Sequence, residues 1–393
     1  MVKIIVIFSS HRTLESGGVG THLKHLINEI AKSNYIYYVI LGVGKKRLYK
    51  RVFSNILDFI FHSSKEKNIC YFMNMVFSLS KELNEKLNII NKAHKNPEII
   101  VHCHERQTVF AASMLKKEYN FKIILTLHAP FAEQYEISYV SDLFIQQFTK
   151  ILEPGLTLQV DHMIAVDALQ KQIVENKFEN IDLKISEIIN SVDINTKVKH
   201  ESYIMQNYGI AKYIVVARHL QKKNGVEYAV KAFSLIKNKD YFLFIVGEGP
   251  ERENIERLIS RLSLRGQVFL IGRQSHEISL NIIAHAKLSL LPSIPVGIYI
   301  EATSLTMLES MLLKTPVIAS NIGGLKQVLT NKTTGILVEA GNAQALANHI
   351  DEMLSDENLY NYITENAKNL IIKQYCSQKW FAAIAGIYDK MNV

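Results

Sequence analysis

Two glutamates, Glu301 and Glu309, stand eight residues apart in PSIPVGIYIEATSLTMLESMLLKTPVIASNIGG, Pro292 to Gly324. A carboxylate pair suggests glycoside chemistry, where hydrolases set the two groups about 5–5.5 Å or about 6.5–9.5 Å apart. On one helix a separation of eight puts them about 12 Å apart along the axis. That geometry favours two hydroxyl-binding roles over an acid/nucleophile couple. Between them Ala302-Thr303-Ser304 is small and polar, and a helical pattern follows. Ser304 is placed to cap that helix and to leave N–H groups around Leu305 for a phosphate. The bland alternative is one capping and one solvated glutamate.

Two cations form a second candidate set. In VVARHLQKKNGVEYAVKAF, Val215 to Phe233, Arg218 follows an apolar run immediately, and Lys223 comes five residues later, before Asn224-Gly225 and a helical pattern. At the C-terminal edge of a strand this pair suits a diphosphate, with a guanidinium fork and an ammonium point charge. Two solvated loop cations are the competing reading. A third set is SGGVGTHLKHL, Ser16 to Leu26. Gly17, Gly18 and Gly20 allow close backbone approach, and the helix start offers N–H groups to an anion. The spacing is not G-x-G-x-x-G. A tight connection is the plain alternative.

Positioning these residues requires strands with helices between them. Lys3 to Phe8, Tyr37 to Leu41, Ile99 to Cys103, Lys122 to Thr126 and His162 to Val166 are short Ile- and Val-rich runs without polar alternation. That pattern predicts parallel strands covered on both faces. A second series contains strands at Tyr213 to Ala217, Tyr241 to Gly247, Gln267 to Ile271, Leu288 to Leu291, Pro316 to Ala319 and Gly335 to Val338. The helices expected there are Val226 to Lys237, Glu251 to Arg265, Glu277 to Ala286, Met307 to Leu313 and Gln344 to Ser355. The fold class is therefore α/β, in two doubly wound halves joined near residues 195–205. The tail carries Trp380, Phe381, Ile384, Ile387 and Tyr388 at helical spacing, an apolar face that must dock on an existing surface.

Composition bounds the class. The chain has 393 residues, enough for two or three domains. Its 48% hydrophobic content, with 18 Gly and 7 Pro, excludes a disordered, collagen-like or disulfide-scaffold chain. Cys70, Cys103 and Cys376 are far apart, so neither a zinc knuckle nor a redox pair is expected, and a reducing cytoplasm fits. MVKIIVIFSSHR reads as an opening strand rather than a signal peptide, and no apolar run reaches the roughly 18 residues of a membrane span. The net charge of +8 is spread over both halves, which argues against a nucleic-acid-binding arm. Residues 45–61, KKRLYKRVFSNILDFIF, join basic residues to an apolar stripe through Leu48, Val52, Ile56 and Ile60. This fits either a solvated amphipathic helix or a peripheral membrane contact.

The ordered set of motifs resembles a known family. Arg218 with Lys223-Asn224, GEGPE at Gly247 to Glu251, VFLIG at Val268 to Gly272 and LLPS at Leu290 to Ser293 occur in sequence. They are followed by the Glu301/Glu309 pair, PVIASNIGG at Pro316 to Gly324 and GILVEAGNAQALA at Gly335 to Ala347. The series resembles the retaining family-4 glycosyltransferases of GT-B fold, the glycosyl transferases of group 1. NSVD, Asn190 to Asp193, looks like the family's junction motif. The first half matches through GGVGTH, VHCHE at Val101 to Glu105 and LTLHA at Leu125 to Ala129.

The resemblance implies two Rossmann-like parallel-sheet domains facing a cleft. Residues 1–197 would bind the acceptor, 198–374 the nucleotide sugar, and 375–393 would form a helix packing back on the first domain. Glu309 would bond the ribose hydroxyls and Glu301 the donor sugar. Arg218 and Lys223 would neutralise the diphosphate, aided by N–H groups near Ser304 and Leu305 and by Gly18. The base would lie near Gly272 and Arg273. His128 would face the sugar, and Gly20, His22 and His104 would serve the acceptor. No cofactor is implied beyond a nucleoside-diphosphate-sugar substrate, with UDP the commonest donor nucleotide in the family. The acceptor would be a saccharide, lipid-linked or small molecule, as in cell-surface polysaccharide or glycoconjugate synthesis, and no nucleic acid is involved. No D-x-D occurs, in keeping with a metal-independent enzyme, and no metal ligand is assigned; a metal held by His102, His104 and His128 is the minority reading. Ala302 and Thr303 replace a usual glycine and aromatic, Gln327 a usual acid and Ser191 a glycine. A sugar-nucleotide epimerase of similar shape and a non-catalytic binding member are the alternatives.

Overall fold

KIIVIFS gives a strand buried along nearly its whole length, and the first sheet is built around it. The computed structural model describes residues 2–11, 14, 17–42, 64–128, 155, 159–178, 183–297 and 300–391. The stripe at 45–61 lies outside the described residues, as do Ser16 and Ala129 of the motifs above. The chain divides into two units: Met1–Ile188 with Phe381–Val393, and Ile189–Trp380. The break thus falls after Ile188, ahead of the expected 197.

The first unit contains β1 (Lys3–Ser9), α1 (Gly17–Ile30), β2 (Ile36–Leu41), α2 (Ser64–Ala93) and β3 (Glu98–Cys103), then α3 (Arg106–Ser113), β4 (Lys122–Leu127), β5 (His162–Ala165), α4 (Ala168–Lys177) and β6 (Ile185–Glu187). The strand order is β2-β1-β3-β4-β5-β6, all parallel. Parallel neighbours need crossovers, so helices cover the faces and the strands become apolar on both sides. On α2, Leu79, Leu83, Leu87 and Ile90 recur at helical spacing and join the core with Ile4, Val6 and Val101.

The second unit contains α5 (Tyr203–Tyr208), β7 (Tyr213–Ala217), a 3-10 turn (Lys222–Asn224), α6 (Val226–Leu235), β8 (Phe242–Val246), α7 (Arg252–Arg261), β9 (Val268–Leu270) and α8 (His276–Ala284). It continues with β10 (Leu288–Leu291), α9 (Leu305–Leu312), β11 (Val317–Ser320), α10 (Gly323–Val328), β12 (Ile336–Val338), α11 (Ala343–Ser355) and α12 (Glu357–Gln374). Its order is β12-β11-β10-β7-β8-β9, again all parallel. The last helix, α13 (Ser377–Lys390), starts in this unit and ends in the first. Its apolar face of Trp380, Phe381, Ile384, Ile387 and Tyr388 is buried. Lys3 Nζ donates to the carbonyls of Tyr388 (2.8 Å) and Met391 (3.0 Å), closing groups that a helix end leaves open. No helix among the described residues is long and apolar enough to cross a membrane.

One glycine fixes the loop that presents Lys223. Gly225 has φ +61°, and a Cβ there would lie 1.9 Å from the carbonyl oxygen of Pro292, the residue that follows β10. Gly225→Ala is therefore expected to cost at least about 2 kcal/mol, from left-handed strain of about 1–2 kcal/mol plus displaced backbone. In a unit of this size that lowers Tm by roughly 4 °C or more. An unchanged melting curve would show that the loop after β10 yields freely.

Candidate functional site

In the second sheet β7 and β10 are neighbours, and the chain winds outward from them in opposite directions. Loops after such a pair diverge and leave a crevice at the strands' C-terminal ends. Arg218 follows β7 and is 8% exposed. Its Nη1 donates to Ser304 Oγ (2.8 Å), and its Nη2 donates to Asn224 Oδ1 (2.7 Å) and Ser293 Oγ (3.2 Å). Nη2 also meets Glu301 Oε1 at 2.7 Å. Lys223 Nζ, more exposed, stands 3.9 Å from Glu301 Oε2. Burial pushes the Glu301 carboxyl up, but the charges of Arg218 and Lys223 outweigh it and hold the group below the usual range, so it is an anion. Its Oε2 has no hydrogen-bond partner among the described residues, and neither has Arg218 Nε.

The backbone holds this arrangement in place. Gly324 N donates to the Glu301 carbonyl at 2.9 Å. Gly323 has φ +46°, and a Cβ there would come within 2.1 Å of that same oxygen. Ser304 caps α9: its Oγ accepts from Met307 N (3.4 Å) as well as from Arg218. The first N–H groups of α9 have no partner within the helix, as at any helix start, so its N-terminus carries a partial positive charge beside Lys223 and Arg218.

The other residues expected in this unit fall into two groups. Glu309 lies on α9, with Oε1 2.6 Å from His276 Nε2 at the start of α8. Gly272 follows β9 with φ +72°, and its carbonyl accepts from Gly247 N at 2.9 Å. Arg273 is next in the chain. His219 is held below the usual imidazole range by burial first, then by the charges of Arg273 and Lys223. So Arg218, Lys223, Glu301 and Ser304 form one cluster, while Glu309 pairs with a histidine that sequence reasoning missed. Asn224 and Ser293 were also missed as partners of Arg218. Their signals were present, in the asparagine before a left-handed glycine and the serine ending LLPS.

In the first unit, His104 and Glu105 follow β3 and His128 follows β4. His22 lies on α1, where Gly18 is exposed and Gly20 buried. His104 Nδ1 and His128 Nε2 share a hydrogen bond at 3.2 Å. The His22 ring packs edge-on to His128, centroids 4.5 Å apart. Burial pushes His104 and His128 well below the usual imidazole range, and neighbouring histidines push the same way. The ligating atoms of His22, His104 and His128 lie within 4.8 Å of one another, so these three rings could hold a metal. The trio differs from the His102, His104 and His128 group of the sequence, because His102 uses both ring nitrogens elsewhere. Glu105, also missed, accepts from Ser9 Oγ (2.6 Å), Ser10 N (2.9 Å) and His11 Nδ1 (2.9 Å). The Glu105 bond raises His11 above its usual range against the effect of burial.

Comparison with known proteins adds to this geometry. The model described as Glycosyl transferases group 1 matches residues 204–370, and that described as Glycosyltransferase Family 4 matches residues 16–196. N-acetyl-alpha-D-glucosaminyl L-malate synthase of Bacillus anthracis is 24% identical over 383 residues, covering 95% of this chain and 93% of the relative. Sucrose-phosphate synthase from Thermosynechococcus elongatus superposes with a TM-score of 0.75 at 18% identity, covering 99% of this chain and 98% of that one. HepE of Anabaena, solved in complex with UDP-glucose, gives 0.73 at 16% identity over the whole of both chains. The GT-B class of two Rossmann-like parallel-sheet domains is the one these neighbours share.

The buried imidazoles generate a pH prediction. His102, with an ordinary value of 6.5, is lowered to about 3 by burial first and then by His22, and His104 and His128 are lowered too. Below pH 6.5 the unfolded chain binds more protons at these positions than the folded one, so stability present above that pH is lost as pH falls. At pH 5 the loss at His102 is on the order of 2 kcal/mol, and His104 and His128 act in the same direction. Tm should drop between pH 7 and pH 5, and a flat profile would mean that the rings take up protons while folded.

Proposed function

The chain belongs to the family-4 and group 1 glycosyltransferases, and on that premise we propose that it moves a sugar from a UDP-sugar to a saccharide, lipid-linked or small-molecule acceptor, with retention and without a metal. The observation that carries the reading is Glu301. It is a buried anion fixed by Arg218, its Oε2 lacks a hydrogen-bond donor among the described residues, and Lys223 and the start of α9 stand beside it. Buried lone pairs without a donor are costly, and sugar hydroxyls would fill them. The adjoining cations and helix start suit a diphosphate. That HepE, of like fold, was solved with UDP-glucose supports the choice of UDP. The site of action is the cytoplasm, in cell-surface polysaccharide or glycoconjugate synthesis, at a membrane face where the acceptor is lipid-linked.

In this mechanism the bond from anomeric carbon to diphosphate oxygen breaks toward an oxocarbenium-like state. The acceptor oxygen attacks from the face the diphosphate leaves, and its proton passes to the departing phosphate oxygen. Lys223, Arg218 and the N–H groups near Ser304 and Leu305 stabilise the charge that develops there. Glu301 holds the donor sugar's hydroxyls, Glu309 the ribose, and the base rests near Gly272 and Arg273. His128 faces the sugar, while Gly20, His22 and His104 serve the acceptor. Fixed cations and dipoles do the work that a metal does elsewhere.

Glu301→Gln should lower turnover about 10²–10³-fold with the fold intact, the cost of losing a preorganised charged contact. Full activity would remove Glu301 from the mechanism. Lys223→Ala should weaken UDP binding about tenfold, roughly 1.4 kcal/mol, by calorimetry; an unchanged Kd would refute its diphosphate role. EDTA should leave turnover unaltered. Free UDP should accumulate only when an acceptor is supplied, which separates transfer from epimerisation.

A further inference from the structure

His102 and Thr126 sit on neighbouring parallel strands, β3 and β4, each two residues before a functional histidine of the same strand's exit, His104 and His128. Residues two apart on a strand share a face. The four side chains therefore make two layers on one face of the sheet: His102 with Thr126, and past them His104 with His128. Within the first layer His102 Nε2 meets Thr126 Oγ1 at 2.7 Å. Its other nitrogen, Nδ1, meets the hydroxyl of Tyr388 at 2.6 Å. That tyrosine comes from α13, almost three hundred positions later in the chain, and is fully buried.

Both nitrogens of the His102 ring are thus bonded in a dry environment. A neutral imidazole has one N–H, so one nitrogen donates and the other accepts. Burial keeps the His102 ring neutral and the Tyr388 hydroxyl protonated. Rotating the ring would break two buried bonds and leave their partners unsatisfied, a costly change in a dry environment. The fixed ring stacks on His104, centroids 4.5 Å apart and planes 26° from parallel. His104 in turn bonds His128.

We propose that Tyr388 is a positioning residue for His128: its hydroxyl fixes the His102 ring, and that ring sets the planes of His104 and His128 stacked beyond it. The inference rests on the reading that His128 faces the donor sugar. The helix does not need this hydroxyl to dock. Lys3 binds the carbonyls of Tyr388 and Met391, Tyr35 bonds Asp389, and Ile384 and Ile387 are buried. Tyr388→Phe therefore removes one contact and leaves the anchor.

The test uses full-length protein labelled with ¹⁵N-histidine, with acceptor-dependent release of UDP from UDP-glucose and UDP-N-acetylglucosamine, in the presence of a panel of saccharide acceptors, as the turnover probe. Tyr388→Phe should move the ring-nitrogen signals of His128 as well as those of His102. It should lower kcat about tenfold, the equivalent of one lost bond of about 1.4 kcal/mol, with donor KM and Tm little changed. Thr126→Val should act in the same direction, and Thr126→Ser, which keeps the hydroxyl, should restore both readouts. An unmoved His128 signal in Tyr388→Phe, or a fall in Tm alone, overturns the proposal, and so does wild-type kcat where His128→Ala is inactive. Wild-type turnover in His128→Ala overturns the reading of His128 itself, and the proposal with it.

Discussion

A guanidinium cannot shed its charge, so burying Arg218 obliges the surrounding chain to supply acceptors. Four separate segments do so: Asn224 in the turn after β7, Ser293 after β10, Glu301 in the following loop and Ser304 at the start of α9. Without these contacts the loops leaving β7 and β10 would have no common reason to converge. The glycines around them follow from the same demand. Gly225 lets the turn pass against Pro292, and Gly323 lets the chain run under the Glu301 carbonyl. Each is a place where backbone must approach backbone because a side chain has already claimed the crevice.

The first unit solves a similar problem with neutral groups. Its sheet also reverses winding direction, between β1 and β3, and polar residues gather at that exit too. There Glu105 collects three donors from the end of β1 and the loop after it. The histidines beside it are buried without a counter-charge strong enough to ionise them, and therefore stay neutral. One crevice is thus built from fixed charges and the other from imidazoles that donate or accept a single proton.

Much of the scaffold was legible because a strand buried on both faces can hardly be anything but apolar. KIIVIFS, EIIVHC and KIILTL left little choice, and ends differ by a residue or two. The edge strand β6, Ile185–Glu187, has three half-exposed or exposed residues, so no pattern marks it. Helix α12 was missed because its apolar stripe is narrow: only Ile363, Thr364, Ala367 and Ile371 are buried, and polar residues fill most of the remaining surface. At the site, Arg218, Lys223, Glu301 and Ser304 were legible because each belongs to a motif whose chemistry is local. His276 was not. Its partner Glu309 is 33 positions away, and a histidine directly after a serine cap reads as ordinary helix start.

The way the Nη atoms of Arg218 are engaged also divides the labour between the two cations. Its Nη atoms are committed to four oxygens, so it meets a ligand mainly through the field it casts and through the Glu301 carboxylate it orients. Lys223 is different: its side chain is 40% exposed and its ammonium meets Glu301 only at 3.9 Å, leaving N–H donors open to an anion. An anion arriving there would not have to break the Arg218 network. A buried arginine thus holds the shape of the crevice, while the lysine beside it leaves a charge open to solvent. The same division explains why the two residues, only five apart, are so unequally buried.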